Sequence, residues 1–282
     1  MTAPPAIFNR RVYAQRRDRA AKNFAAHAFL HERAFDDIID RLETVKRDFP
    51  NALFMGAGDL PQKMSPACGV GKIFNTDIAG NRVALCDLSF VADDEALPVA
   101  PRTMNLIVSL LTLHMVNDVV GALTQARMAL KPDGLFVAAT FGEETLSTLR
   151  QALYKAEAEV TGGVSARIAP FATIQDYGQA LGRAGFALPV VDIDKVRVNY
   201  SDPFKLLQDI RGMGETSVLR QGARPLRRDV LMKAMDLFLE NGGSEKFDIV
   251  YLTGWAPHAS QQKPLKPGAG KSSLEDAVKG LG

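Results

Sequence analysis

Along this chain the spacing of hydrophobic positions changes period, and the changes outline an α/β fold. Between residues 16 and 48, Phe24, Phe29, Phe35, Ile38, Ile39, Leu42 and Val45 recur near every 3.6 residues with charges between them, which predicts one or two amphipathic helices. The pattern then shortens. Asn51–Met55 predicts a buried strand closed by the tight turn Gly56-Ala-Gly58, and Pro61 suits the first turn of a short helix after it. Lys72–Asp77, Ala84–Phe90 and Met104–Leu110 are the next strand candidates, the last running into a helix over Asn117–Leu130. Lys131-Pro-Asp-Gly134 reads as a turn, followed by a strand at Leu135–Thr140 and a helix at Glu144–Glu159. Beyond the loop Thr161-Gly-Gly163 come a helix at Ile174–Gly185 and two late strands, Val190–Tyr200 and Phe247–Trp255, separated by a helical stretch, Phe204–Leu239. Strands alternating with helices imply a mostly parallel sheet with right-handed crossovers, and the last pair reads as an antiparallel hairpin opened by an insertion. The expected organisation is a basic arm and helices over 1–48, one domain over 49–258 with a helical insertion near 203–242, and a mobile tail over 259–282.

Composition narrows the classes. A hydrophobic share of 46% and a charged share of 23% are those of an ordinary globular chain. A net charge of +2 is too small to make nucleic acid or an acidic membrane the expected main partner. Cys68 and Cys86 have neither metal-binding nor redox spacing, so reduced core thiols of a cytosolic protein are expected. No run of eighteen apolar residues exists, and a membrane span is not expected. The Arg-rich, acid-poor N-terminus has the composition of an organelle transit peptide, but a solvated basic arm is the simpler reading.

The candidate chemistry gathers over residues 54–118. Gly56 and Gly58 sit between a strand and a helix, where backbone can approach a ligand closely at a helix N-terminus. Asp77, nineteen residues past Gly58, ends the next strand, where a carboxylate can accept from both hydroxyls of an adenosine ribose. Sixteen residues further, Asp93-Asp94-Glu95 closes a third strand beside the expected position of an adenine ring. A dinucleotide would favour a third glycine three residues on, where this chain has Pro61.

With those residues in view, a family resemblance becomes specific. GKIFNTDIAGN (71–81), ADDEALPV (92–99), LIVSLLTLHMVNDVVGAL (106–123) and LKPDGLFVAATFGEETLSTLRQAL (130–153) resemble the class I S-adenosylmethionine-dependent methyltransferases. FNRRVYAQRRDRAA (8–21), GGVSARIAPF (162–171), LGRAGFALPVVDIDKVRVNY (181–200), RGMGE (211–215) and IVYLTGWAPH (249–258) are similar to one branch, the mitochondrial complex I assembly-factor arginine hydroxylases and their bacterial relatives. That match places the basic arm within the folded protein. The resemblance implies a Rossmann-like seven-stranded sheet with one antiparallel strand and S-adenosyl-L-methionine as cofactor. It implies Gly56 and Gly58 against the methionyl part, Asp77 with Ile78 at the ribose, Asp94 with Asp93 and Glu95 at the adenine, and Leu110 and Leu111 on the sulfonium side. Two positions depart from the pattern: Phe54 stands where the family carries an acid, and Leu60 where it carries a third glycine; Asp59 is the candidate replacement acid.

No catalytic residue follows from the sequence; His114 and Asp118 are the candidates, and His114, Asn117 and Trp255 are candidates for touching substrate. Against this, Asn117 or Asp118 can simply cap a helix, and Trp255 can anchor a sheet edge. His27 and His31, with Glu32 and Asp36 nearby, have the spacing of metal ligands on one helix face, but an amphipathic helix explains them and no metal is expected. Glu215 can meet a cationic substrate or end a solvated helix. The resemblance implies arginine hydroxylation on a complex I subunit, in the cytoplasm or at the inner membrane face, or in the mitochondrial matrix of a eukaryote. Methyl transfer, as in the related biotin-pathway O-methyltransferases, and a catalytically idle assembly chaperone are the alternatives.

Overall fold

Strands β1 (Phe49–Met55), β2 (Val70–Asp77), β3 (Leu88–Val91), β4 (Met104–Leu110), β5 (Leu130–Phe141), β6 (Ala187–Asn199) and β7 (Ser244–Trp255) form one sheet in the order β3-β2-β1-β4-β5-β7-β6. This is a computed structural model, and it describes residues 6–220 and 225–261. Only β7 runs against its neighbours, pairing antiparallel with both β5 and β6. The other pairs are parallel. The order reverses between β1 and β4, so the carboxyl ends of these two central strands open onto the crevice where such sheets bind ligands.

Alternating side chains divide the central strands between two cores, as a period of two requires. Ala52 and Phe54 of β1, with Leu106, Val108 and Leu110 of β4, face α2 (Phe29–Val45), α4 (Ser147–Thr161) and α7 (Arg228–Glu240). Leu53, Met55 and Ile107 face the opposite core, packed on α3 (Val119–Ala129) and α5 (Ile174–Ala184). The helices start and stop on local signals. Asp118 caps α3 by accepting from the Gly121 amide, Thr173 and Asp176 close α5 with a capping box, and Gly185 ends it in a left-handed conformation.

Four expectations change. The solvated basic arm is instead helix α1 (Arg10–Ala21), and its Arg10 and Arg17 are buried because carboxylates at the strand ends partner them. A 3₁₀ turn, Phe24–His27, separates α1 from α2. The turn at Lys131–Gly134 is absorbed into β5 as an irregularity, with Asp133 at φ 62 and the β4 register shifting there. The strand expected from Ala84 begins only at Leu88, since Ser89 and Asp87 hold the preceding residues by bonds to the Ala84 carbonyl and the Ile73 amide. The helical stretch Phe204–Leu239 is two helices, α6 (Pro203–Met213) and α7, broken where Gly214 takes φ 86. Residues 262–282 of the expected tail lie outside the described residues. No helix among the described residues is long and apolar enough to cross a membrane.

Candidate active site

The crevice is built from backbone first. Gly56 leaves β1 at φ 74, and a Cβ there would lie 2.3 Å from Thr112 Cγ2 and 2.8 Å from the Leu110 carbonyl oxygen, so only glycine lets β1 and β4 end side by side. Gly58 is different: a Cβ there would find nothing nearer than Arg82 Nη2 at 3.7 Å. Asp77 ends β2 and accepts from the Ala79 amide at 2.9 Å. Asp94 follows β3 and accepts from Thr112 Oγ1 at 3.2 Å. Leu111, at φ 49, closes β4 with its amide bonded to the Ala139 carbonyl at 2.8 Å.

Helix α1 lies across these strand ends and puts two guanidinium groups onto the acids. Arg17 is fully buried; its Nη2 lies 2.7 Å from Asp77 Oδ2, and its Nε donates to Asp77 Oδ1 at 3.2 Å. The same group donates to Tyr13 Oη (3.1 Å), Glu215 Oε1 (3.3 Å) and the Gly56 carbonyl (3.4 Å). Arg10 reaches Asp93 at 2.6 Å, Asp94 at 2.9 Å and the Met115 carbonyl at 3.0 Å. Burial works against both positive charges, but Asp93 and Asp94 around Arg10, and Asp77 beside Arg17, hold both above the ordinary arginine value. Burial pushes the Asp94 carboxyl up, opposed by Arg10, and pushes the Tyr13 phenol up as well.

A second group of side chains comes from the insertion. Glu215 Oε2 lies 2.8 Å from His114 Nε2, and the His114 ring is buried against Phe141 (4.8 Å) and Phe171 (5.9 Å). Two glycines of the Arg211-Gly-Met-Gly-Glu215 segment explain how that carboxylate gets there. A Cβ on Gly212 would fall 2.1 Å from the His27 ring, and one on Gly214 3.2 Å from Arg17 Cα. Their absence lets the end of α6 lie flat on α1 and on the Phe24–His27 turn, which delivers Glu215 under Arg17. A cavity of about 650 Å³, lined by Arg16, Arg19, His27 and Arg211, lies between α1 and α6 and not over the strand ends.

Several buried polar atoms have no hydrogen-bond partner, among them Arg82 Nε and Nη2, whose side chain lies against Gly58, both ring nitrogens of His31, and His114 Nδ1. Arg82 lies in the 3₁₀ turn after β2, stacks on Phe24 with 3.2 Å from its guanidinium carbon to the ring centre, and approaches Asp77 only to 4.0 Å. Burial, then the neighbouring Arg17, pushes its value down to about 10. Burial and nearby cations hold His31 well below the ordinary histidine value, so its ring is neutral; it meets Phe24 edge-on at 4.8 Å. Since native interiors rarely leave buried donors unpaired, a polar ligand fits this place better than an apolar one.

The fold brings together Gly56, Gly58, Asp77, Asp93, Asp94, Leu111, His114 and Glu215. Other expected residues serve different ends. Asp118 spends its carboxylate on capping α3. Asn117 pairs with the Phe8 backbone, accepting at 2.7 Å and donating at 3.3 Å, and Glu95 accepts from Asn117 Nδ2 at 2.9 Å. Ile78 packs beside Phe8, Tyr13 and Met115. Trp255 pairs with Leu135 at the start of β5; because β7 runs antiparallel, its end lies at the sheet edge opposite the crevice, so Trp255 does not touch a ligand there. It stacks instead on Arg47 at 4.9 Å. Phe54 is buried in the core near Phe35, and Leu60 is buried too. His27 and His31 lie on separate elements, with His27 bonded to Asp209 at 2.7 Å, and no group of potential metal ligands occurs among the described residues. Sequence reasoning missed Arg10, Tyr13, Arg17 and Arg82. The first three are spaced three and four apart, the spacing of one helix face, and that signal was available.

Comparison with known proteins bears on the same residues. A family profile described as a methyltransferase domain matches residues 55–138. The mouse protein "Arginine-hydroxylase NDUFAF5, mitochondrial" is 37% identical over 299 residues, covering 99% of this chain and 86% of the relative. Its human counterpart is 37% identical over 282 residues, covering 93% of this chain and 81% of the relative. Among solved structures, the YcgJ protein of Bacillus subtilis superposes with a TM-score of 0.54 at 12% identity, over 78% of this chain and 98% of that one, which supports the fold alone.

Proposed function

The chain belongs to the NDUFAF5 arginine-hydroxylase family, within the methyltransferase fold, and from that membership we propose that it binds S-adenosyl-L-methionine in the strand-end crevice and hydroxylates an arginine of a respiratory complex I subunit during assembly. One observation carries the substrate reading: this crevice already cages a guanidinium. Asp77, Glu215, the Tyr13 hydroxyl and the Gly56 carbonyl surround Arg17 without any exposure. Planar, charge-assisted recognition of this kind is what an arginine side chain requires.

For the cofactor, Gly56 and Gly58 would hold the methionyl part, Asp77 the ribose, Asp94 flanked by Asp93 the adenine, and Leu111 the sulfonium side. Bound there, S-adenosylmethionine would supply an electrophilic sulfonium carbon for methyl transfer, whereas the oxygen of a hydroxylation would have to come from dioxygen with a two-electron reductant. The rest is the work of this chain's own residues. Asp77 accepts the ribose hydroxyls once Arg17 lets go of it. Glu215, held in place by His114, keeps a carboxylate for a guanidinium, and His114 Nε2 can hold a proton at Glu215 Oε2. Phe141 and Phe171 exclude water from that pair.

A second reading, an idle assembly protein, is favoured by Phe54 lying in the core and by the two arginines seated on the cofactor acids. One assay decides. The protein is incubated with S-adenosylmethionine, the candidate complex I subunit, dioxygen and a two-electron reductant, because inserting one oxygen atom into a C–H bond sends the other to water. The intact mass of the subunit is then measured. A gain of one oxygen supports hydroxylation, a gain of one methyl replaces it with methyl transfer, and no change leaves the idle reading.

A further inference from the structure

We propose that Arg82 is the anion-binding residue of the crevice and takes the carboxylate of the ligand's amino-acid end. This rests on reading the crevice as a site for S-adenosylmethionine. The position two residues before the glycine turn offers no acid toward such an end, and Asp59, the acid within the turn, is exposed. Phe54, two residues before Gly56, is turned into the core beside Phe35. A ligand ammonium therefore finds no carboxylate at that position, and recognition there has to come from a donor instead.

Arg82 is that donor. Its side chain is 4% exposed, yet Nε and Nη2 have no hydrogen-bond partner. The neighbouring carboxylate, Asp77, is 4.0 Å away and already committed to Arg17 at 2.7 Å and to the Ala79 amide at 2.9 Å. Nη2 is the atom nearest to where a Cβ on Gly58 would be, 3.7 Å away, so the unpaired edge of the guanidinium lies against the glycine turn. Burial and Arg17 both work against its charge, the condition under which an incoming anion is bound most favourably. The fixed fork of a guanidinium matches a carboxylate with two parallel bonds. His31, neutral and with both nitrogens unpaired, meets the same Phe24 ring edge-on.

The experiment is calorimetric titration of the full chain with S-adenosylmethionine, with decarboxylated S-adenosylmethionine, which keeps the ammonium and lacks only the carboxylate, and with 5′-methylthioadenosine, which lacks the whole amino-acid end. The wild type is expected to bind S-adenosylmethionine about tenfold or more tightly than the decarboxylated form, the scale of a lost charge-assisted bond. Arg82→Met should bind both alike, with 5′-methylthioadenosine affinity unchanged, and Arg82→Lys should fall between. Equal affinity of the wild type for the two sulfonium ligands overturns the assignment of Arg82 and needs no variant. So does full discrimination retained by Arg82→Met. If the wild type binds none of the three, the cofactor reading itself fails and the assignment falls with it.

Discussion

Replacing Arg17 with methionine keeps the volume of the side chain and removes its charge from beneath α1. In the folded protein this strips two carboxylates of a shared partner. Asp77 retains only the Ala79 amide among its close donors, apart from Arg82 at 4.0 Å, and Glu215 retains His114. Deleting one partner of a buried ion pair typically costs about 3–5 kcal/mol, because the charge left behind stays desolvated. With an unfolding entropy of about 2.1 cal/mol/K per residue, that loss lowers Tm by about 6–9 °C in a domain of this size. Ligand binding should respond in the opposite direction. Arg17 competes with a ribose for Asp77, so without it the crevice binds S-adenosylmethionine more tightly, and saturating ligand raises Tm by more in the variant than in the wild type. Differential scanning calorimetry with and without ligand reads both effects. A ligand-free loss below about 2 °C means that Arg17 does not anchor α1. A ligand-induced rise no larger than that of the wild type means that Arg17 and the ligand do not share Asp77.

Three further outcomes follow from the geometry. Gly212→Ala puts a methyl 2.1 Å from the His27 ring, so it should lower stability to urea by about 1–3 kcal/mol, whereas Gly182→Ala, with open space at the same point, should not. His31 is held neutral by burial, so its folded value lies below its unfolded one; the stability this provides is complete above pH 6.5 and is lost as pH falls toward the lower folded value. Wild type should therefore lose more stability than His31→Leu between pH 6.5 and 5 in urea titrations, and parallel pH profiles would contradict the neutral, buried assignment. The chain's single tryptophan, Trp255, sits at the sheet edge away from the crevice, so saturation with ligand should leave its fluorescence maximum in place; a marked shift would put the ligand at the wrong edge.

What could be read in the sequence was whatever the local pattern encodes. The short apolar runs gave the central strands because a strand buried on both faces needs no polar alternation, and Gly56 marked the end of β1 because no other residue fits against Thr112 and Leu110. Charge was harder. Arginine is rarely buried without a partner, so Arg10 and Arg17 taken alone suggest a solvated arm. Their partners stand 83 and 60 residues away, and His114 meets Glu215 across 101 residues, separations no periodicity reports. The two glycines before Glu215 were visible, but their purpose depends on His27 and Arg17 packing against them.

Those long-range pairings also set how the site must work on the proposed reading. Asp77 serves two partners that cannot both be satisfied, the ribose and Arg17, while Glu215 joins Arg17 to His114 on the far side of the same guanidinium. A ligand that takes Asp77 leaves Arg17 with Glu215 as its one remaining carboxylate, loosening α1 where it covers the crevice. An arginine entering the cage displaces Arg17 from Glu215 and completes that release. Cofactor and substrate then each remove part of the same ion pair, so each should bind more tightly in the presence of the other, and by thermodynamic reciprocity the factor must be equal in both directions. Measuring the affinity for S-adenosylmethionine with and without a saturating arginine-bearing peptide tests this linkage, and an affinity that the peptide leaves unchanged would show that the two ligands do not meet at Arg17.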